Sequence, residues 1–485
     1  MTKLKPNIVA SERQAADLLI VGLGPGGLFA ALKAASQGMT VVALTDRSHY
    51  IRGQRVLLSM ETQLYLEELI EDDVDQLIID KLEEENTIQV KDIENFLYRK
   101  IQAHPNITIV QINANNSITH IGVSTNKESN YIQLADNSIY FCRNLLAADG
   151  AKHTLATLIN AELNASITYS QSTLQERHKY HGTVQLQLKK GEQITELETG
   201  VNKFKTRAAC IKLGWRESFT PQYYVFTNAA QTKFYYVGEI PKCIYDAPND
   251  SQANLLKKWA SEAISAKFMV RDEQLEYRVS RKTPAKDRLQ SSVFEMNLMV
   301  CNKSTFPLAN GMFAQIGDAR RTPNYHVLHG MNDAIKGGFA FVEALSTKDF
   351  KKFEEKIAMM DENVELRMSI NKDVVKEATL GAEKKLMVLL DNLIEHLQGF
   401  PEVNTSKLNL IIEAKNAFAL NGNLTTMYET MDEIKKVISE QQTRVLSQGY
   451  ECLLAKLETD NTMEKSVQMI EDINNNMDTI FNANY

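Results

Sequence analysis

The sequence is poor in cysteine, which bounds both its covalent and its metal chemistry. Only five of the 485 residues are cysteine, and none of them stands in C-x-x-C spacing. An odd, dispersed set argues against a disulfide framework and against a structural zinc site. The five are Cys142, Cys210, Cys243, Cys301 and Cys452. We therefore expect no metal site and interpret most of these side chains as small buried hydrophobic groups.

Long apolar runs and a surplus of positive charge are also missing. No stretch approaches the roughly 18 apolar residues of a membrane-spanning helix, and the polar residues 1–13 contain no apolar signal segment. The net charge of −7 does not favour binding of the protein to nucleic acid or to an anionic membrane. These features predict a cytoplasmic protein without a transmembrane segment. Export by a route that needs no such signal stays open.

Glycine is scarce overall but forms one motif near the amino end. The apolar run Leu18–Val21 predicts a buried parallel strand, and it leads into Gly22, Gly24 and Gly27 with G-x-G-x-x-G spacing. An amphipathic stretch and a second apolar strand, Thr40–Leu44, follow. The first glycine permits a tight turn, the second lets a pyrophosphate approach, and the third lets the helix pack on the strand. This order predicts dinucleotide binding at the start of the helix.

Polar residues after the second strand extend this candidate site. Dinucleotide-binding folds place an acidic residue here for the ribose hydroxyls. The sequence offers Thr45 at the expected position and Asp46 one later. We take Asp46 as the candidate for binding the ribose hydroxyls. The alternative is that Asp46 is only a solvated acidic residue in a loop. Arg52 and Arg55 flank Gly53 and are suited to a pyrophosphate, unless they form only a surface basic pair.

Two later strands also end in acidic residues. A buried apolar stretch ends at Asp149-Gly150, and another ends at Gly317-Asp318, shortly before a helix that starts near Gly330. Open α/β sheets bind their ligands at the carboxyl ends of parallel strands. Asp149 and Asp318 are therefore predicted to stand where such sheets bind ligands.

The remaining patterns divide the chain into domains. Residues 1–165 and 301–347 form the predicted dinucleotide-binding domain, and the tyrosine-rich strands of 166–300 form a β-sheet domain on the substrate side. From 348 to 485 apolar residues recur every three or four positions, which predicts a bundle of four to six helices. The acidic stretch 60–85 predicts one helix whose charged face is solvated rather than a metal site.

In their order and spacing these motifs resemble the FAD-dependent monooxygenases of the p-hydroxybenzoate hydroxylase type. That family has a G-x-G-x-x-G, a central D-G, and a late G-D followed by proline and G-(L/M)-N. Here the last element is Gly330-Met331-Asn332, thirteen residues after Gly317. The surroundings of Arg52-Gly53-Gln54 look most like the monooxygenase domain of the MICAL proteins. The resemblance implies an α/β fold with a Rossmann-like FAD-binding domain and a β-sheet substrate domain, followed by an all-α helical C-terminal domain.

The resemblance also implies where FAD would lie. Its pyrophosphate would meet the glycine motif, its ribityl chain Asp318, and its pyrimidine edge the backbone N–H groups from Gly330 to Asn332. No side-chain acid or base is required, so no catalytic residue is named. The cofactor-binding residues implied in this way are Gly22, Gly24, Gly27, Thr45, Asp46, Arg52, Gln54, Arg55, Lys91, Asp149, Gly150, Asp318, Gly330, Met331 and Asn332.

A reaction follows from the same resemblance. NAD(P)H as co-substrate would reduce the flavin, O₂ would give a flavin C4a-hydroperoxide, and oxygen would pass to a small molecule or a protein side chain. Two departures from the family pattern are Thr45, in place of glutamate, and Val327, in place of glycine. They keep two alternatives open: a flavin oxidoreductase that transfers no oxygen, or an FAD-binding scaffold whose helical C-terminal domain binds a protein partner.

Overall fold

The structure is a computed structural model that describes most of the chain. Val327, Cys452 and residues 1–13 lie outside the described residues, so the expectations placed on them stay predictions. The described ranges are 15–50, 52–85, 87–124, 128–171, 178–192, 210–217, 221–228, 230–268, 270–278, 291–322, 330–398, 405–421, 424–447 and 465–477.

Strands and helices alternate through the first half of the chain, and helices dominate its end. The strands are β1 Ala16–Val21, β2 Val41–Thr45, β3 Arg55–Val56, β4 Ile88–Gln89, β5 Ile107–Gln111, β6 Ile118–Val123, β7 Asn130–Leu134, β8 Ile139–Ala147, β9 Tyr169–Gln171, β10 Tyr180–Leu188, β11 Tyr223–Thr227, β12 Lys233–Glu239, β13 Leu275–Tyr277, β14 Ser291–Glu295, β15 Met299–Cys301, β16 Thr305–Leu308 and β17 Gly311–Gln315. The helices are α1 Pro25–Ser36, α2 Met60–Glu67, α3 Asp73–Glu85, α4 Val90–Ala103, α5 Thr154–Leu163, α6 Lys242–Tyr245, α7 Asn249–Phe268, α8 Gly330–Thr347, α9 Phe350–Gln398, α10 Thr405–Asn421 and α11 Leu424–Ser447. Residues 465–477 are also helical.

The chain folds into two compact units, each made of several segments. The first unit takes the described residues within 1–179, 226–231 and 295–366. The second takes those within 180–225, 232–294 and 367–485.

A largely parallel sheet forms the centre of the first unit. Its strand order is β16-β17-β8-β1-β2-β5, with β7 beside β8 and β6 beside β7. Strand β1 runs parallel to both β2 and β8, and β17 runs parallel to β8. From β1 the chain therefore continues to β2 and β5 on one side and returns to β8 and β17 on the other. Ligands bind beside such a reversal of strand order, at the carboxyl ends of the strands.

Close helix packing covers one face of this sheet. A Cβ atom added to Gly26 of α1 would lie 2.7 Å from the carbonyl oxygen of Ala334 in α8, and one added to Gly338 would lie 2.9 Å from the carbonyl oxygen of Gly26. Glycine at both positions lets α1 and α8 approach each other. Phe353 and Ile357 at the start of α9 are buried in the same hydrophobic core.

The acidic stretch 60–85 forms two helices, not the single helix predicted. The second helix starts at Asp73, after the side chain of Asp72 accepts a hydrogen bond from the Asp75 N–H at 2.7 Å, as an N-cap residue does. The prediction of a solvated face is wrong for Asp75, which is buried and paired with Arg99 and, at 2.8 Å, with Lys100. Burial alone would raise the pKa of Asp75, but the hydrogen bonds from Lys100 and from the Glu71 N–H, together with the charges of Lys100 and Arg99, outweigh it and lower the pKa.

The second unit combines an antiparallel sheet with the C-terminal helices. Its strand order is β11-β12-β10-β13, with β14 beside β10. The indole of Trp259 in α7 donates to the hydroxyl of Tyr236 at 2.7 Å and to the carbonyl of Glu239 at 3.0 Å. Leu386 of α9 and Met427 of α11 belong to the same hydrophobic core as Trp259. The predicted fold class is confirmed: a Rossmann-like α/β domain, a second sheet, and a helical C-terminal region.

Within the described part of the chain, every helix is too short or too polar to cross a membrane.

Candidate functional site

Two glycines of the first motif are required by the fold of the chain itself. Gly22 follows β1 with φ of +96°, and its N–H donates to the carbonyl of Leu44 at 2.8 Å. A Cβ atom there would lie 2.2 Å from the carbonyl oxygen of Ala148. A Cβ atom on Gly27 would lie 2.0 Å from the carbonyl oxygen of Gly22. The tight turn and the close helix packing expected of these glycines are therefore present.

Gly24 has a different environment, because a side chain there would meet no close contact among the described residues. The nearest of their atoms to a Cβ built on Gly24 is Nη1 of Arg47, in van der Waals contact at 3.8 Å. Gly24 is also the N-cap of α1, it has extended backbone angles, and no side chain caps the helix. The first N–H groups of α1 thus have no side-chain acceptor, and the dipole of the helix favours an anion here. This cradle fits the diphosphate of a dinucleotide.

The two ribose candidates after β2 differ in access. Thr45 is only 1% exposed, and its hydroxyl accepts the N–H of Arg47 at 3.1 Å. Asp46 is exposed, and its carboxylate accepts a hydrogen bond from Lys152 at 2.6 Å, which lowers the pKa of Asp46. Of the two, only Asp46 presents its side chain to solvent at this edge of the sheet.

The basic segment after β2 is tied to the start of α4. The guanidinium of Arg55 donates to both the hydroxyl and the carbonyl of Thr87, each at 2.8 Å. The N–H of Lys91, in the first turn of α4, donates to the carbonyl of Arg52 at 3.0 Å. The side-chain oxygen of Gln54 is buried and has no hydrogen-bond partner within the described residues. Arg55 and Lys91 therefore take part in local structure whatever else they contact.

Asp149 stands at the carboxyl end of β8, between a turn and a helix. One carboxylate oxygen accepts the N–H of Leu155 at 3.0 Å, and the other is buried without a partner in the described part of the chain. Burial raises the pKa of Asp149, and the bond from Leu155 partly offsets it. Gly150 follows with φ of +69° and open space where a side chain would point.

Asp318 lies in a short 3-10 turn, Gly317–Ala319, directly after β17. Its side chain is exposed to solvent, while nearby protein atoms reduce the hydration of its carboxylate. This loss of hydration raises the pKa of Asp318 to about 6, although Arg47 and His153 act to lower it. An exposed carboxylate with reduced hydration, at the edge where such sheets bind ligands, is suited to accept hydrogen bonds from a ligand.

The turn that carries Asp318 is held by an aromatic pair that the sequence did not single out. A ring nitrogen of His153 lies 3.2 Å from the carbonyl oxygen of Ala319, and the hydroxyl of Tyr169 donates to the same oxygen at 3.0 Å. The two rings lie 3.9 Å apart. This pair links the turn after β8 to the turn after β17.

The predicted segment Gly330-Met331-Asn332 forms the first residues of α8. Their N–H groups have no acceptor one turn earlier within the helix. The side chain of Asn332 binds the backbone of another segment. Its oxygen accepts the N–H of Ser59 at 2.9 Å, and its amide donates to the carbonyl of Leu57 at 3.0 Å. This helix start lies against the site, since a Cβ on Gly317 would lie 2.9 Å from the Cβ of Ala334.

A buried ion pair fixes the chain after Asp318. The guanidinium of Arg320, 4% exposed, donates twice to the carboxylate of Asp361 in α9, at 2.7 and 2.8 Å. Arg321 donates to the same carboxylate at 2.7 Å. Burial alone would raise the pKa of Asp361, but the two arginines outweigh it and lower the pKa.

We expect Asp361→Asn to destabilise the protein by about 2 kcal/mol, because it leaves the buried charge of Arg320 uncompensated. Thermal melting should fall by about 5 °C. Glu362→Gln, at the exposed neighbouring position, is the matched control. Since the pKa of Asp361 is lowered, its contribution is complete above the ordinary carboxyl range and is lost only on strong acidification. Equal melting temperatures for Asp361→Asn and wild type would contradict this role.

In total, the structure brings most of the predicted residues to one edge of the parallel sheet. The turns after β1, β2, β8 and β17 carry Gly24, Asp46, Asp149 and Asp318, and the first turns of α1 and α8 begin beside them.

Sequence reasoning missed the buried carboxylate of Glu94 and the ties formed by Asn332 and Asp361. Within the described residues, no group of three or more His, Cys, Asp or Glu side chains is arranged to hold a metal ion.

Compared by sequence, the chain matches no protein-family model and no curated protein. Among solved structures it is similar to p-nitrophenol 4-monooxygenase from Pseudomonas putida DLL-E4, with 13% identity, 68% of this chain and 79% of that chain covered, and a TM-score of 0.45. It is similar to a flavin-dependent brominase, with 11% identity, 82% and 93% covered, and a TM-score of 0.47. It is also similar to aklavinone-11 hydroxylase in complex with FAD and aklavinone, with 14% identity, 70% and 63% covered, and a TM-score of 0.45.

Proposed function

We propose that this protein binds FAD at the carboxyl edge of the parallel sheet and is an oxidoreductase, an FAD-dependent monooxygenase that uses NAD(P)H. One observation carries the proposal. Gly24, which has no close contact at its Cβ position among the described residues, the start of α1 without a side-chain cap, and the turns that carry Asp46, Asp149 and Asp318 lie on one edge of the sheet around the reversal of strand order. Folds of this kind bind dinucleotides at that place.

The residues present fit FAD in charge and in access. Gly24 and the first N–H groups of α1 would meet the diphosphate, while Asp46 would accept from the adenosine ribose. Asp318 would accept from the ribityl hydroxyls, and the N–H groups from Gly330 to Asn332 would donate to the pyrimidine edge of the flavin. The chemistry that bound FAD would supply is uptake of hydride from NAD(P)H and activation of O₂, so that an oxygen atom can pass to a small molecule or a protein side chain.

The chain itself contributes binding, orientation and charge. Asp318 is mostly ionised at neutral pH, because its pKa is about 6, so it acts as an acceptor. His153 and Tyr169 keep its turn in place through the carbonyl of Ala319. Asn332 ties the start of α8 to the backbone at Ser59, which fixes the direction of the N–H groups of that helix. No side chain is required to transfer a proton in this scheme.

The proposal is tested on the purified full-length protein by its visible spectrum and by titration with FAD. We expect a flavin spectrum with a binding stoichiometry of one, and oxidation of NADH or NADPH by the holoprotein with consumption of O₂. A protein that stays colourless after addition of FAD would refute the cofactor assignment. Turnover that never incorporates ¹⁸O from O₂ into any candidate substrate would favour a flavin oxidoreductase without oxygen transfer. FAD binding without oxidation of either nicotinamide cofactor would favour a scaffold.

A further inference from the structure

Glu94 of α4 is a fully buried carboxylate that the proposed binding of FAD leaves unexplained. Its side chain is 0% exposed, and one oxygen accepts a hydrogen bond from Nη1 of Arg47 at 2.7 Å. The same oxygen lies 3.7 Å from Nη2 of Arg52, whereas the second oxygen has no hydrogen-bond partner among the described residues. Buried carboxylates are normally satisfied completely, because an unpaired buried charge is costly. A half-satisfied carboxylate beside a ligand site indicates a role linked to the ligand.

The position of Arg47 shows what that role is. Among the described residues, its Nη1 atom is the nearest to the position that a Cβ on Gly24 would take, at 3.8 Å. Glu94 engages one of the five N–H donors of the guanidinium, and about a third of the arginine side chain is exposed. The remaining donors are available to an anion at the start of α1. Glu94 therefore determines where a cation stands beside the helix N-terminus.

The charges around Glu94 favour an added anion. Arg47 and Arg52 face it from the segment after β2, which gives two positive charges for one carboxylate. Tyr50 faces it from the same segment, and burial raises the pKa of this phenol, so it stays neutral. Burial also raises the pKa of Glu94 to about 7, against the opposing effect of Arg47. Arg47 also acts on two other carboxylates: Asp46, whose pKa is lowered chiefly by the hydrogen bond from Lys152, and Asp318, whose pKa burial raises to about 6.

We propose that Glu94 is a positioning residue for the diphosphate of FAD, which holds Arg47 beside the start of α1 and takes up one proton from solvent when the diphosphate binds. This inference rests on the proposed function. The diphosphate competes with Glu94 for the positive charge of the arginines, and its own negative charge disfavours the ionised form of a buried neighbour. The proton is bound by a carboxylate oxygen of Glu94, and no covalent bond changes.

The test measures the FAD dissociation constant of the full-length protein by isothermal titration calorimetry from pH 6 to pH 8.5. For wild type we expect affinity to fall about fivefold to tenfold over this range, since ionisation of Glu94 opposes binding. Buffers of different ionisation enthalpy should reveal net proton uptake near pH 8. Glu94→Gln should bind with similar affinity throughout the range, because the amide oxygen still accepts from Arg47. Glu94→Ala should bind FAD about tenfold more weakly than Glu94→Gln at every pH, because no side chain then holds Arg47 in place.

The outcomes separate this inference from the proposal on which it rests. Failure of wild type to bind FAD at any pH refutes the proposed function. Binding by wild type, with a pH dependence that Glu94→Gln retains, refutes the role of Glu94 and assigns the effect to another group such as Asp318. Equal affinity of Glu94→Ala and Glu94→Gln refutes the positioning role. Circular dichroism spectra of both variants that match wild type ensure that these comparisons are made between folded proteins.

Discussion

Replacing Gly24 by valine should abolish FAD binding while leaving the fold intact. The backbone of Gly24 has φ of −77° and ψ of −177°, which any residue adopts, and among the described residues the nearest atom to the new Cβ is 3.8 Å away. The loss of stability should stay within about 1 kcal/mol, the usual effect of a changed N-cap. The side chain would, however, occupy the space through which the diphosphate approaches the helix start. We expect the affinity for FAD to fall by more than about 100-fold.

The other glycine substitutions of the motif should behave differently. In Gly27→Val the new Cβ would lie 2.0 Å from a backbone oxygen, which a small side-chain movement does not relieve. We expect that variant to lose more than about 3 kcal/mol of folding stability. Gly381→Val is the control, because no atom in the part of the chain that the structure describes lies within 4 Å of a Cβ there. Thermal melting with and without FAD reports both effects, since the cofactor raises the melting temperature only where it binds.

Two results would count against this account of the motif. A Gly24→Val protein that binds FAD as wild type does would place the diphosphate elsewhere. A Gly24→Val protein that melts far below wild type would show that Gly24 is needed for packing, as Gly27 is, rather than for access by a ligand.

Local pattern was sufficient to predict the edge of the sheet where these residues meet. An apolar run followed by glycine or by aspartate identifies a buried strand and its end without knowledge of any distant residue. Gly22, Asp149 and Asp318 were predicted in this way, and the parallel order of β1, β8 and β17 brings their turns to one edge. The stretch 60–85 was predicted less well, because the N-cap at Asp72 lay within a continuous acidic pattern.

The ties that complete the candidate site could not be predicted from local pattern, because each joins residues far apart in sequence. Asp361 lies 41 positions after Arg320, and the side chain of Asn332 binds the backbone at Ser59, 273 positions earlier. The periodicity of apolar residues predicts that Phe353 is buried, but it does not predict that Phe353 packs in the core of the first unit.

Glu94 did leave one signal in the sequence. The buried apolar residues of α4 include Val90, Ile93 and Leu97, and Glu94 falls on the same face of the helix. An acidic residue within an apolar stripe requires a buried partner. The partner, Arg47, follows β2 in the fold, and nothing in the spacing of the two residues in the sequence indicates that they meet.

Asp318→Asn should weaken FAD binding and at the same time stabilise the protein without cofactor. The carboxylate is exposed, and loss of hydration to nearby protein atoms raises its pKa from 3.8 to about 6. The folded state therefore binds a proton more strongly than the unfolded chain, and the stability that comes with this proton is lost as the pH rises through about 6. An asparagine has no such cost, so the variant should melt slightly above wild type at pH 8, by about 1–2 °C because solvent screens an exposed carboxylate, and this advantage should shrink toward pH 4.

The same substitution removes a charged acceptor for the ribityl hydroxyls. A hydrogen bond of this kind contributes about 1.5–3 kcal/mol, or roughly 10- to 100-fold in affinity for FAD.

Asp432→Asn, on the exposed side of α11, controls for the change of net charge. Fluorescence titration with FAD and melting curves from pH 4.5 to pH 8 measure the two effects on one preparation. An affinity equal to wild type would remove Asp318 from the site, while a melting temperature that does not depend on this residue at pH 8 would show that its carboxylate is hydrated like any surface acid. If both effects appear together, the chain keeps at this turn a charge that destabilises its own fold, which is expected of a residue retained for a ligand.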